Sequence, residues 1–224
     1  DRVDATGNDT YGWTGEKYSD LYLSKKQTDG SYSGVVSLAA ELNSGFNEGT
    51  PTFSRDGNEV YFTRCGSQGK GADDYCAIYI SRLQSLGGWS APEKLLLFDA
   101  DTFNVGHPFL SKDGKYLLFA AEAPGGYGGK DLYISILQGG SWTAPRNLGV
   151  EINTAGNEVF PFVDDQGTLY FSSDGHDGLG GLDVFSAPAN GGTWSKPENL
   201  KLPINSGADD FGIWLTKSKP KDAN

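Results

Sequence analysis

The sequence predicts an all-β fold, a β-propeller of four-stranded antiparallel blades, and two observations predict it. The first is the stretch from Asn157 to Leu200, where four short bursts, Val159–Val163, Thr168–Ser172, Leu182–Ala187 and Trp194–Leu200, are rich in aromatic and β-branched residues. Turn clusters of Asp, Asn and Gly separate them, the composition of antiparallel strands joined by turns. The second is a repeat. Pro51, Pro108 and Pro161 step by 57 and 53 residues, as do Gly57, Gly114 and Gly167, while Trp89, Trp142 and Trp194 step by 53 and 52. Three markers that keep one period, each unit carrying four strands, give the signature of propeller blades.

Taken in order, Asp1–Ser19 reads as the tail of a second strand and the loop that follows it. Asp20–Ser24 (DLYLS) matches Asp131–Ser135 (DLYIS) and supplies a third strand, and Ser31–Ala39 a fourth. The next blades occupy about Asn47–Leu95, Asn104–Leu148 and Asn157–Leu200. Ile204–Phe211 then mirrors Ile152–Val159, so Phe211–Leu215 is expected to be another first strand. One propeller domain over residues 1–217 follows, with residues 218–224 as a disordered tail. Segments 1–40 and 209–216 would share a composite blade: four blades if the chain is whole, five or six if it is a fragment. The opening DRVDATGND and the lack of Met suggest a processed product or an excised fragment.

The second strands, Val60-Tyr61-Phe62, Leu117-Leu118-Phe119 and Leu169-Tyr170-Phe171, are apolar at consecutive positions. A strand covered on both faces reads this way, so blades should sandwich one another. The repeated prolines are expected at the entry to each innermost strand, where the missing N–H is tolerated.

The formal net charge of −11 argues against a nucleic-acid partner, which needs clustered Lys and Arg, and against an anionic membrane surface. No apolar run approaches the ~20 residues of a spanning helix, so membrane insertion by this chain is not expected. Cys65 and Cys76 flank the loop between a second and a third strand. Neighbouring antiparallel strands bring such positions within bridging distance; the alternative is two free thiols in a reducing compartment. A disulfide would place the chain outside the cytoplasm.

No local catalytic motif is present, and no catalytic or metal-ligating set is assigned. Asn47-Glu48, Asn104-Val105, Asn157-Glu158 and Asp209-Asp210 occupy equivalent places before the first strands. Such a ring at a channel mouth would bind a cation or a small polar ligand, or it would satisfy its own turn backbone; Val105 interrupts it. The tryptophans, in W-S/T-x-P contexts, either stack on sugars or pack the outer blade edge. The loop Asp174–Asp183 carries carboxylates that could hold calcium, yet it lacks the alternate ligand spacing and closing Glu of an EF-hand loop. Its glycines, with those of Gly125–Asp131 and Gly66–Asp74, most simply permit positive φ.

The units TPTFSRDGNEVYFTR, HPFLSKDGKYLLFAA and FPFVDDQGTLYFSSDGHDGLGGLDVF, followed by PINSGADDFGI, resemble the WD40-like, TolB-type propeller repeats. The similarity is to propellers of OmpA-family envelope proteins, some of them serving type IX secretion and gliding, and it covers about Tyr18–Leu215. It implies a non-enzymatic, extracytoplasmic scaffold of the bacterial cell envelope, periplasmic or extracellular, that binds an envelope protein. The family's further glycine-rich and D-I-Y strands, and its OmpA-like domain, are absent from this chain. The alternative is a carbohydrate-binding or glycan-processing propeller, to which the aromatic loop residues Tyr11, Trp13 and Tyr127 would contribute.

Overall fold

The computed structural model describes residues 19–66, 75–100 and 102–215. Among them there is no helix, and every strand pairing is antiparallel. The first unit is the pair β1 (Tyr22–Leu23) and β2 (Val36–Ser37). The second is the sheet β3 (Asn47–Phe53), β4 (Glu59–Cys65), β5 (Cys76–Arg82) and β6 (Glu93–Lys94), in that order. The third comprises β7 (Val105–Leu110), β8 (Tyr116–Ala121) and β9 (Asp131–Gln138). Its outer edge is divided between β10 (Ser141–Trp142) and β11 (Arg146–Asn147), which both pair with β9. In the fourth, β12 (Glu158–Val163), β13 (Leu169–Ser173) and β14 (Asp183–Ala187) lead into the hairpin β15 (Ala189–Asn190) and β16 (Thr193–Trp194). The closing strand β17 (Glu198–Asn199) then returns to β14.

The second strands behave as their composition requires. Val60 and Phe62 of β4 face one core, with Leu21 and Leu42, while Tyr61 faces another, with Leu117 and Phe119 of β8. Leu118 and Ala120 point the opposite way, into a third core with Leu169 and Phe171 of β13. Three interblade cores therefore alternate with the four units. Phe62, Phe119 and Phe171 are fully buried, each side chain contributing about 1.5–3 kcal/mol by removal from water.

Two expectations are corrected in detail. Pro51, Pro108 and Pro161 lie inside β3, β7 and β12 rather than at their entrances. The ladder shifts register at Gly49/Thr52, Gly106/Phe109 and Val159/Phe162. The residues before the prolines, Thr50, His107 and Phe160, sit at φ of 48°, 52° and 53°. A bulge takes these residues out of the ladder, which is how a strand accommodates a residue with no N–H. The fourth strands are broken rather than continuous: Pro92, Pro145 and Pro197 fall between the Trp end and the Glu-Lys, Arg-Asn or Glu-Asn end. Proline removes a ladder donor at each break.

Residues 211–215, expected as a first strand, form no ladder among the described residues. They retain first-strand features nonetheless. Gly212, with φ of 73°, occupies the bulge position of Phe160, and Trp214 packs on Phe162 at 5.1 Å between ring centroids. The expected tail and residues 1–18 lie outside the described residues.

Replacing Phe171 with Ala, by this account, destabilises the chain by about 3–5 kcal/mol through the cavity it leaves, while Leu86→Ala, at a fully exposed turn, stays within about 0.5 kcal/mol. Urea unfolding midpoints check it; equal shifts in both variants contradict the assignment of the interblade cores.

Candidate functional site

The polar residues preceding the first strands are spent on fastening one blade to the next. The Asn47 carboxamide oxygen accepts from the Ser19 N–H at 3.0 Å, and that of Asn104 from the Cys76 N–H at 2.8 Å. Asn157 accepts from the Lys130 N–H at 3.1 Å, and Asp209 from the Leu182 N–H at 2.9 Å. Every donor stands two residues before a buried apolar residue at the head of a third strand, namely Leu21, Ile78, Leu132 and Val184. The neighbouring carboxylates turn inward. Glu158, fully buried, accepts from the Thr154 N–H (2.8 Å), the Thr154 hydroxyl (2.6 Å) and the Ser173 hydroxyl (2.7 Å). Glu48 accepts from the Ser44 N–H and hydroxyl and pairs with Arg64 at 2.8 Å, and Asp210 accepts from the Ser206 N–H.

Sequence reasoning missed a third member of this arrangement. Asn43, Asn153 and Asn205 each place their carboxamide across a third strand, accepting the N–H and donating to the carbonyl of Leu21, Leu132 and Val184 respectively. The amide acts as a short extra strand. The signal was there in the recurrence of Leu42-Asn43-Ser44, Ile152-Asn153-Thr154 and Ile204-Asn205-Ser206, in phase with the period.

The glycine-rich loops serve the same joint. Gly66 and Gly125 adopt positive φ as expected, at 107° and 85°, whereas Gly126, Gly128, Gly129, Gly178, Gly180 and Gly181 do not, and glycine has another reason there. A Cβ on Gly128 would lie 2.4 Å from the Thr154 carbonyl oxygen, and one on Gly180 2.3 Å from that of Ala208. These glycines are needed because the loop presses against the linker into the next blade. In the remaining full blade, Cys65 and Cys76 are joined as expected, facing each other across β4 and β5 with Cα atoms 3.9 Å apart. Of the expected loop aromatics, Tyr127 is exposed, and Tyr11 and Trp13 lie outside the described residues. The repeated tryptophans pack. Trp89 meets Phe53, Trp142 meets Tyr61 across a blade boundary, and the Trp194 indole N–H donates to the Gly167 carbonyl at 2.9 Å.

The concave surface lies at the other end of the innermost strands. An open cavity of about 1010 Å³ is lined by Phe53, Phe109, Phe162 and Trp214 from the strands and by Arg55, Lys112, Asp164 and Asp165 from the hairpin turns. Phe109 and Phe162 meet edge to face at 5.5 Å, and Trp214, 73% exposed, continues the aromatic line. Lys112 bridges to Asp165 of the next blade at 2.7 Å. Two turn carboxylates there are occupied. Asp113 accepts from the Ser111 hydroxyl and the Lys115 N–H, bonds that hold its carboxyl below the usual range, and Asp164 accepts from the Gln166 and Thr168 N–H groups. The glycines of these turns, Gly57, Gly114 and Gly167, do adopt positive φ, as tight hairpin turns require. Among the described residues no three metal-ligating side chains cluster, and no helix is long and apolar enough to cross a membrane.

No protein-family model and no curated protein matches the chain. Among solved structures it is similar to TolB from Acinetobacter baumannii, at 18% identity and a TM-score of 0.50, over 83% of this chain and 38% of that one. Puromycin hydrolase (18% identity, TM-score 0.48, 80% and 27% covered) and the periplasmic gluconolactonase PpgL of Pseudomonas aeruginosa (17%, 0.42, 70% and 43%) are more distant. The chain thus spans well under half the length of each. The TolB likeness bears on architecture alone, and with the repeated antiparallel blades it gives a TolB-like β-propeller fold.

Two measurements probe this geometry. Asn153→Ala or Asn205→Ala leaves a buried N–H and carbonyl unpaired and is expected to cost about 1–3 kcal/mol, read from urea midpoints. His107 stacks on Phe160 at 4.1 Å, and burial with nearby Lys130 lowers its pKa to about 4. The unfolded chain therefore binds this proton first: His107 contributes stability in full above pH ~6.5 and loses it as pH falls toward 4. His107→Gln should flatten the stability–pH curve in that window, and an unchanged slope contradicts the assignment.

Proposed function

We propose that this chain is a non-enzymatic, extracytoplasmic β-propeller that acts as a protein-interaction scaffold in the bacterial cell envelope, binding its partner at the mouth formed by the turn ends of the innermost strands. The observation that carries the reading is the contrast between the two ends of those strands. At one end Glu48 and Glu158 are buried in bonds to their own blade and the linker leading into it; at the other, exposed rings and mixed charges line a large open cavity. Loops and turns on a rigid scaffold are where recognition is usually found, and pockets combining aromatic rings with a few polar groups suit binding. Support for the compartment comes from the disulfide, which persists in oxidising surroundings, and the TolB likeness is in keeping with it. The acidic balance disfavours nucleic acid. An OmpA-family context, with secretion or gliding machinery as the setting, is part of this proposal and rests on the repeat motifs. So does the treatment of residues 1–217 as a single propeller domain.

A carbohydrate ligand is the second reading, favoured by the exposure of Trp214 and Phe53 at the same mouth. The test compares wild type with Trp214→Ala and Phe53→Ala in cross-linked capture from envelope extract, alongside binding to and hydrolysis of peptidoglycan fragments and polysaccharides. The scaffold reading expects capture of one saturable protein partner, lost in both variants with unfolding midpoints unchanged, and no turnover. Saturable glycan binding without turnover selects the second reading. Turnover of any polysaccharide overturns the non-enzymatic assignment.

A further inference from the structure

The charges around the turn-end mouth do not all cancel. Lys112 pairs with Asp165 at 2.7 Å, and Lys115 with Asp113 at 3.3 Å. Two charges lining the cavity are left over. Arg55, exposed on the turn between β3 and β4, makes no ion pair among the described residues. Asp164, half-buried on the turn between β12 and β13, makes none there either. Its Oδ1 accepts from the Gln166 and Thr168 N–H groups at 2.9 Å each, but its Oδ2 meets only the Tyr170 hydroxyl, at 3.4 Å. The free cation thus stands on the second blade and the free anion on the fourth, with a whole blade between them.

An apolar floor joins the two ends. Phe109 and Phe162 of adjacent blades meet at 5.5 Å, and Trp214 continues from Phe162 at 5.1 Å. Phe53, 42% exposed, belongs to the strand that leads to Arg55, while Trp214, 73% exposed, packs on the ring two residues before Asp164. An exposed indole at the end that holds an unpaired carboxylate suits a Lys ammonium or an Arg guanidinium, which gains from the ring and the charge together. The unpartnered guanidinium at the opposite end suits a carboxylate, which it can hold by two parallel bonds. An acidic polysaccharide would satisfy Arg55 and be repelled by Asp164, and a neutral glycan would satisfy neither charge. A polypeptide carries both signs on one chain.

We infer that the partner segment bound here is polarised, with an acidic side chain at Arg55, apolar side chains over Phe109 and Phe162, and a basic side chain against Trp214 and Asp164, an inference that rests on the turn-end mouth being the binding site. Two blade steps of at most about 10 Å each separate the charges, so at about 3.3 Å per extended residue the acid and the base stand no more than ~6 positions apart. The net charge of −11 adds a long-range pull on the basic end. The two fixed charges of opposite sign set which way the segment lies.

The test uses the full chain with its disulfide intact and capped, fluorescently labelled peptides of one length and one apolar centre. They carry acid then base, base then acid, two acids or two bases at the same flanking positions. Fluorescence polarisation at low ionic strength is expected to show saturable binding of at least one opposed-charge peptide, roughly tenfold tighter than either like-charged one, a margin that shrinks with added salt. Arg55→Glu should turn the preference to the two-base peptide. Asp164→Asn, which keeps an acceptor for the Gln166 and Thr168 N–H groups, should bring the opposed-charge and two-acid peptides to near-equal affinity. Equal binding of all four peptides that is lost with Trp214→Ala overturns the polarity and leaves the mouth as the binding site. Binding untouched by Trp214→Ala overturns both. No saturable binding by wild type, or a preference that Arg55→Glu does not move, also overturns the inference.

Discussion

Every blade here is a sheet too thin to bury its own two faces, and the joint between blades is the interaction on which the rest depends. Burial at the three interblade cores supplies most of the drive, because the second strands give apolar side chains to both sides. Burial alone has no direction and would allow one blade to slide over the next. The polar fasteners set that relation. A carboxamide or carboxylate at the start of each first strand accepts from one particular backbone N–H of the preceding blade. Those bonds are directional, so a shift in register would break them together, at about 0.5–1.5 kcal/mol each. Apolar packing thus provides the magnitude and the polar bonds provide the alignment.

The joint is built twice in one way and once in another. Two full blades close the loop before the third strand with a glycine wrap and a buried Asp; the remaining one has Ala77 there and a disulfide between Cys65 and Cys76. The same blade boundary is where Val105 replaces the buried carboxylate of Glu48 and Glu158. Loss of the buried carboxylate at the head of one blade therefore coincides with a covalent clamp on the adjacent loop, while Asn104 still accepts from the Cys76 N–H across the boundary. By chain-entropy reasoning a loop of this length contributes roughly 2–3 kcal/mol, similar to the bonds it stands in for.

The architecture was legible because it rests on composition repeated in phase. Short aromatic and β-branched bursts, turn clusters and doubly apolar second strands located every main sheet, and the half-cystines were placed from their flanking strands alone. What escaped was local geometry that composition does not encode. Proline reads as a strand entrance until one knows that Thr50, His107 and Phe160 accept a left-handed backbone. Glycine in a loop reads as conformational freedom, yet Gly128 and Gly180 are required by what lies opposite them. Glu48 and Glu158 read as a polar ring because a sequence shows charge but not the direction of a side chain. Their donors, Ser44 and Thr154, stood four residues upstream in a motif that recurs, and only the pairing gives that motif its meaning.

A propeller blade is polarised along its strands, and this one shows what the polarity is worth. The end that carries the linker spends Asn47, Asn104, Asn157 and Asp209 on the neighbouring blade, and Glu48 and Glu158 there turn inward. The hairpin-turn end has only to reverse the chain, and short Asx-type bonds within the turn suffice for that. Phe53 and Trp214 remain exposed there, and of the turn charges Lys112 reaches across to Asp165 of the next blade. A substitution at the turn end alters what the molecule presents, whereas one at the linker end alters how the molecule holds together. That separation leaves the exposed mouth free to differ in what it presents while the cores that hold the blades together stay the same.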